Sequence, residues 1–237
     1  MGPFKRLVVC AGALGTLSIG LAGSSAALGV TAIAAGGGGC GGSGGSGGTS
    51  GPTQVFASHF TGISASASYT SVVGTTETDI GVDAFHGTAT LAATGPGSID
   101  AVFVTIFVFD TESGLQSVAA FGCVPSPNFQ IDQTLTSATL APTTVTLVDF
   151  NTNASSTVTV SAGWTGFGPE TRQTQVSHFH SGGFTTTFNF VGFDRFANAT
   201  GSVIDPDLNV SAAGAASFAE LDKVEAGGVF VCLAGAC

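Results

Sequence analysis

An all-β chain is predicted, and three observations predict it. Thr, Ser, Val, Phe and Gly dominate the chain, with 8% charged residues, one Trp and one Tyr, a composition that favours strands and turns over helices. Apolar and hydroxyl side chains alternate with a period of two along segment after segment, the pattern of strands with one buried face. Gly- and Pro-bearing turns punctuate these segments. About ten short strands divided in this way point to an antiparallel two-sheet β-sandwich.

The chain begins with Lys5 and Arg6 ahead of an uncharged run from Leu7 to about Ala35. A basic stretch, an apolar stretch and then small residues make the layout of a Sec signal. Ser25-Ala26-Ala27 and Ala32-Ile33-Ala34 both fit a cleavage site, and the second is preferred because Gly-rich sequence follows it. Residues 1–35 therefore read as a signal peptide, or as an uncleaved signal anchor, since the run is 29 residues long. Gly12, Gly15, Gly20, Gly23 and Gly29 weaken it as a stable membrane helix.

Residues 36–52 are a Gly/Ser-rich flexible tether. The tether matches G-x-S-x-G at Ser43 and Ser46, but a nucleophile elbow needs a strand before it and a helix after it. Cys40 followed by Gly and Ser resembles the start of mature bacterial lipoproteins, whose N-terminal Cys is acylated. That resemblance covers a few residues, and Gly37 stands where such signals usually carry Leu. It implies lipidation at Cys40, which would hold a tethered domain at a membrane.

Residues 53–237 form one domain. Val55–Phe60 reads as a first strand, and then Ile63, Ala65, Ala67, Tyr69 and Val73 alternate with Ser64, Ser66, Ser68 and Thr70, implying one wet face. Phe85, Ala89 and Leu91 oppose His86, Thr88 and Thr90 in the same way. Gly95-Pro96-Gly97 reads as the turn into Ile99–Asp110. Between Asp100 and Asp110, eight of nine residues are apolar on both alternating sets, so this strand is central and covered on both faces. A Thr-Glu-Ser-Gly turn leads to Leu115–Cys123, with further strands at Leu135–Leu140 and Thr144–Phe150.

Val158, Val160, Ala162 and Trp164 share one face, and Gly166-Phe-Gly-Pro169 is read as the loop of a hairpin with Arg172–His180. Arg172–His180 has no strongly apolar face and reads as an edge strand. Gly182-Gly183 reverses the chain into a strand with Phe184, Phe188 and Phe190 on one face, and Ala199–Ile204 is another strand. Ser217-Phe-Ala-Glu220 has the form of a capping box, predicting a short helix from Phe218 to about Glu225. Gly227-Gly228 would end it, before a last strand at Val229–Leu233.

The charge balance narrows the function classes. In the domain Arg172, Arg195 and Lys223 face fifteen carboxylates. Nucleic acid is excluded as a partner, because phosphate binding needs cations that release counterions. Membrane contact is expected only through the N-terminal segment or Cys40.

Export oxidises thiols, so the cysteines left after cleavage, Cys40, Cys123, Cys232 and Cys237, are expected in disulfides rather than as a catalytic thiolate. A Cys123–Cys232 bridge is preferred because it ties the last strand to the middle of the chain.

Two metal patterns stand out. His178 and His180, two apart on one strand, could share a zinc ion, with His59 or His86 as a third ligand by elimination. Asp205-Pro-Asp207-Leu-Asn209 places oxygen donors at the first three positions of a calcium loop, but Val210 and Ala216 stand where the turn Gly and bidentate Glu belong. Ordinary turn chemistry accounts for the same residues. No cofactor is the primary expectation, and calcium is the alternative.

The sequons at Asn153, Asn198 and Asn209 carry little weight, since a Ser/Thr-rich chain produces such matches by chance. With no complete catalytic motif, the sequence reads as an exported, non-enzymatic domain, secreted, periplasmic or on the cell surface, displaying a binding or structural surface. Its partner would be an extracellular protein or a carbohydrate. A secreted hydrolase whose acids or metal ligands converge only in three dimensions is one alternative. A carbohydrate-binding module is another, requiring exposed aromatics such as Trp164, Phe167 and Tyr69.

Overall fold

The computed structural model describes residues 9–12, 16–19, 54–91, 95–125, 128–181 and 184–233, with side chains at 59–88, 97–98, 100–125, 128–174, 176 and 189–228. Residues 36–52 with Cys40, and most of residues 1–35, expected as tether and signal peptide, lie outside them. Near the N-terminus, β1 (Val9–Gly12) pairs with β2 (Thr16–Ile19).

The domain is built from β3 (Gln54–Val73), β4 (Thr76–Leu91), β5 (Gly95–Asp110), β6 (Gln116–Pro125), β7 (Phe129–Ile131), β8 (Ser137–Asp149), β9 (Ser155–Gly166), β10 (Thr171–Ser181), β11 (Phe184–Asp205), β12 (Val210–Ala215) and β13 (Phe218–Leu233). All pairings are antiparallel and the described residues contain no helix, as an all-β chain requires. The pairings close a circuit, β3-β4-β5-β6-β8-β9-β11-β13 and back to β3, with β7, β10 and β12 attached to its flanks. Its narrowest seam is β6–β8, held by Ala120↔Asp149 and Phe121↔Val148. Gly122 permits the close approach there, since a Cβ at that position would stand 2.1 Å from the Thr146 carbonyl oxygen.

One face of every circuit strand points into a common apolar interior. Ala65 and Ala67, Val82 and Ala84, Val102, Val104 and Ile106, Val145 and Leu147, Val158 and Val160, Ala199 and Val203, and Leu221 are all buried in it. Trp164 crosses this interior, its Nε1 donating to the Ser66 carbonyl oxygen at 2.7 Å. β5 is central, as its composition demands: it lies between β4 and β6, and Ala101 and Phe103 are buried on the face opposite Val102 and Val104.

Four turns share one device. Asp110, Asp132, Asp149 and Asp205 each accept hydrogen bonds from backbone N–H groups two or three residues on, at 2.7–3.1 Å. Aspartates are favoured at such places because the carboxylate stands in for a backbone acceptor. Three of these turns carry a left-handed residue, Gly114, Asn153 or Asn209, at φ of 68°, 57° and 53°. In the Asp132 turn that place is taken by Leu135, φ 52° and fully buried, where the interior side chain offsets the backbone strain.

Several sequence expectations are corrected. β9 does not form a hairpin with β10: it pairs with β8 and β11, while β10 pairs with β11. Phe218–Glu225 is strand, not helix. Ser217 donates its hydroxyl to the Ser68 carbonyl oxygen at 2.8 Å instead of capping, and β13 is paired on both sides, by β3 and β11. Two-sided pairing with Ala219 and Leu221 in the interior outweighs a local capping signal. Leu135–Leu140 and Thr144–Phe150 merge into β8, whose register slips between Leu140 and Thr143. Gly95-Pro96-Gly97 lies inside β5, opposite Leu91, Thr90 and Ala89.

Candidate functional site

The outer face of the circuit carries two unusual features. On β3, Ser64 and Ser66 are buried, although the Ser/apolar alternation marks their face as wet. Their hydroxyls find no hydrogen-bond partner. Register places four acids beside them: Asp222 lies opposite Ser64 and Asp194, while Ser66 lies between Glu220 and Asp83. Glu220 and Asp222 are buried, and one oxygen each of Asp194 and Asp222 is unpartnered.

Burial first, and the Glu220 charge second, push the Asp83 carboxyl from its ordinary 3.8 up to about 7. Asp222 is raised well above its ordinary value by burial, then by Glu220, Asp194 and Asp83. Lys223 and Arg195 alternate onto the opposite face, so among the described residues of these strands no cation answers this cluster. Burial and neighbouring like charges favour the neutral carboxyl at Asp83 and Asp222 over full ionisation.

The second feature is aromatic. Phe167, Phe196 and Phe218 are exposed at 48%, 54% and 36%, and they form one group. Phe167 and Phe196 lie near-parallel, at 24° with centroids 6.3 Å apart, and Phe218 meets Phe196 edge-on at 6.3 Å. The Phe167 N–H donates to the Phe196 carbonyl oxygen at 2.8 Å, which fixes the loop after β9 against β11.

Further along the same strands lies a shallow groove of about 430 Å³, lined by Asn128, Gln130, Thr139, Ser161 and Thr200, with Leu140 and small residues including Gly163. Family models, curated proteins and solved structures yield no match to this chain. Function is therefore read from these side chains alone.

The residues singled out from sequence are dispersed. Trp164 and Tyr69 are buried, at 2% and 5%, and cannot serve as a platform, whereas Phe167 can. Their inward place follows from the alternation that also buries Val160 and Ala67. His178 and His180 stand opposite Thr187 and Thr185 in the β10–β11 ladder, and their side chains lie outside those described. His86 is exposed, with Nδ1 against the Asp100 carboxylate.

Asp205 is fully buried. It receives the Ser156 hydroxyl at 2.6 Å and the N–H groups of Asp207 and Leu208 at 3.0 Å, so the Asp205–Asn209 stretch is built as the β11–β12 turn. Among the described residues, no three His, Cys, Asp or Glu side chains gather closely enough to hold a metal.

Cys123, on β6 opposite Phe103, is disulfide-bonded. Cys232 lies in β13 opposite Thr185, with the residue before it, Val231, opposite Phe56. No helix among the described residues is long and apolar enough to cross a membrane.

The acid cluster and the aromatic group escaped sequence reasoning because both are cross-strand. Phe167, Phe196 and Phe218 come from three segments of the chain, and only the β9–β11–β13 neighbourhood unites them. One signal was present: Glu220 and Asp222 alternate with Ala219 and Leu221, which is strand periodicity inside the supposed helix.

Proposed function

We propose that the chain is an exported, non-enzymatic domain that presents a binding surface outside the cell. Residues 1–35 direct export, residues 36–52 act as the tether, and residues 53–237 form the displayed domain, its circuit flattened into two facing layers. The observation that carries this reading is the exposed Phe167–Phe196–Phe218 group. Exposed aromatics clustered on a sheet surface cost solvation and are retained at surfaces that bind.

A hydrolase reading finds less support, since Asp83, Asp194, Glu220 and Asp222 do not line the groove and Glu220 and Asp222 are buried. The bridge from Cys123 is assigned to Cys232, and Cys40 and Asp205–Asn209 are left as candidate lipid and calcium positions.

Export is tested by expressing the full chain with its own leader and fractionating the cells. The domain is expected in the medium, the periplasm or on the surface, with Cys123 oxidised in non-reducing peptide maps. Confinement to the cytosol with free thiols would overturn the reading.

A further inference from the structure

Resting on that reading, we infer that the bound partner is a neutral polysaccharide, seated along the outer face of β7, β8, β9 and β11. Register lays the surface out row by row. One row runs Gln130, Thr139, Gly163 and Thr200 across the four strands, and the next runs Ser137, Thr165 and Asn198. Beyond them, where β9 ends, stand Phe167 and Phe196. Gln130, Thr139, Thr200, Ser137, Thr165 and Asn198 are all exposed.

Along β11, Thr200, Asn198 and Phe196 project to the same side at two-residue steps, so groove and aromatics are about 13–14 Å apart. A surface of that length seats more than one sugar ring.

The chemistry selects the ligand. No titratable side chain lines the groove, and those bordering the surface are acids, Asp132 beside Ser137 and Glu220 opposite Phe196, so an anionic polymer finds no counter-charge there. Amides and hydroxyls offer both donors and acceptors, which suits a ligand whose own groups are hydroxyls. Gly163 makes the groove floor: a Cβ built there meets nothing within 4 Å, so the space above it is open. The exposed Phe rings supply an apolar face for the C–H side of a pyranose ring, the part that hydroxyl partners leave unsatisfied. A protein-binding surface would instead carry an apolar core within its polar rim, whereas here the aromatics stand at one end of a polar strip.

The same features supply the test. Purified exported protein is run in native gels cast with a β-glucan, a xylan, a mannan or polygalacturonate. Retardation by at least one neutral polymer is expected, none by polygalacturonate, and a loss of tenfold or more in affinity for Gly163→Val and for Phe196→Ala. Gly163→Val starts from a Cβ that meets nothing within 4 Å and projects into the groove, and circular dichroism of both variants should match that of the parent.

Retardation only by polygalacturonate, by no polymer, or equally in both variants overturns the inference. So does a self-association, seen by sedimentation, that Phe196→Ala abolishes while no polymer is bound. Export and ligand class fail separately, because exported protein that binds no neutral polymer leaves the displayed-domain reading standing, and binding by a chain confined to the cytosol does the reverse.

Discussion

Trp164 shows how much one side chain does in a narrow interior. Its ring meets Phe129 edge-on at 81°, and its indole N–H satisfies the Ser66 carbonyl from across the circuit. Trp164→Phe removes that donor and leaves a void, so a loss of about 2–4 kcal/mol in urea unfolding is expected. A loss below about 0.5 kcal/mol, the range of surface substitutions, would mean the indole is not buried as described. At this scale the sequence was half legible. The alternation through Val158, Val160 and Ala162 already places Trp164 inward, so its reading as a surface platform conflicted with its own strand pattern. Ser64 and Ser66 were not legible, because alternation tells which residues share a face but not what covers it.

Among the elements, β5 and β13 make opposite cases. The Val102–Val108 run is uncharged on both faces, and a strand of that kind has no stable place except the middle of a sheet. Val104→Asp puts a carboxylate at a site with 0% exposure between Val82 and Gly122. A cost beyond about 4 kcal/mol is expected, seen as lost soluble protein or as a collapse of the melting transition. An unchanged melting temperature would contradict the position of β5. β13 was misread because its Ser-x-x-Glu start is a local signal, while its strand state depends on β3 and β11, far away in sequence. The β9–β10 hairpin failed for the same reason: chain neighbours with a turn between them look paired, yet β9 finds its ladders in β8 and β11.

For the molecule as a whole, closing the circuit sets how it responds to pH. Bringing β3, β4, β11 and β13 side by side gathers Asp83, Asp194, Glu220 and Asp222 on one face, a juxtaposition no single segment encodes. Asp83 and Asp222 are raised, so their neutral forms are favoured in the folded state. A raised carboxyl contributes stability that is complete below the unfolded value and is lost as pH rises through the folded one. For Asp83 that window runs from 3.8 to about 7. The turn aspartates have the opposite sign. Backbone N–H donation from Ser113 and Thr134 lowers Asp110 and Asp132, and at Asp149 burial is outweighed by bonds from Thr152, Ala119 and Asn151. Their contribution falls away only in more acidic solution. The melting temperature is therefore expected to peak on the acid side, near pH 4–5, and to drop towards pH 8. Because the net charge of −10 also favours acid, two variants separate the causes. Asp83→Asn should raise the melting temperature at pH 8 by roughly 2–4 °C, the equivalent of about 1 kcal/mol in a domain of this size, and flatten the profile between pH 4 and 7. Glu112→Gln, which removes an exposed charge in the β5–β6 turn, more than seven residues along β5 from the partner of Asp83, should leave the slope as it was. A melting temperature that climbs from pH 5 to 8, or an equal response to both substitutions, would show that burial does not hold Asp83 and Asp222 protonated on that face.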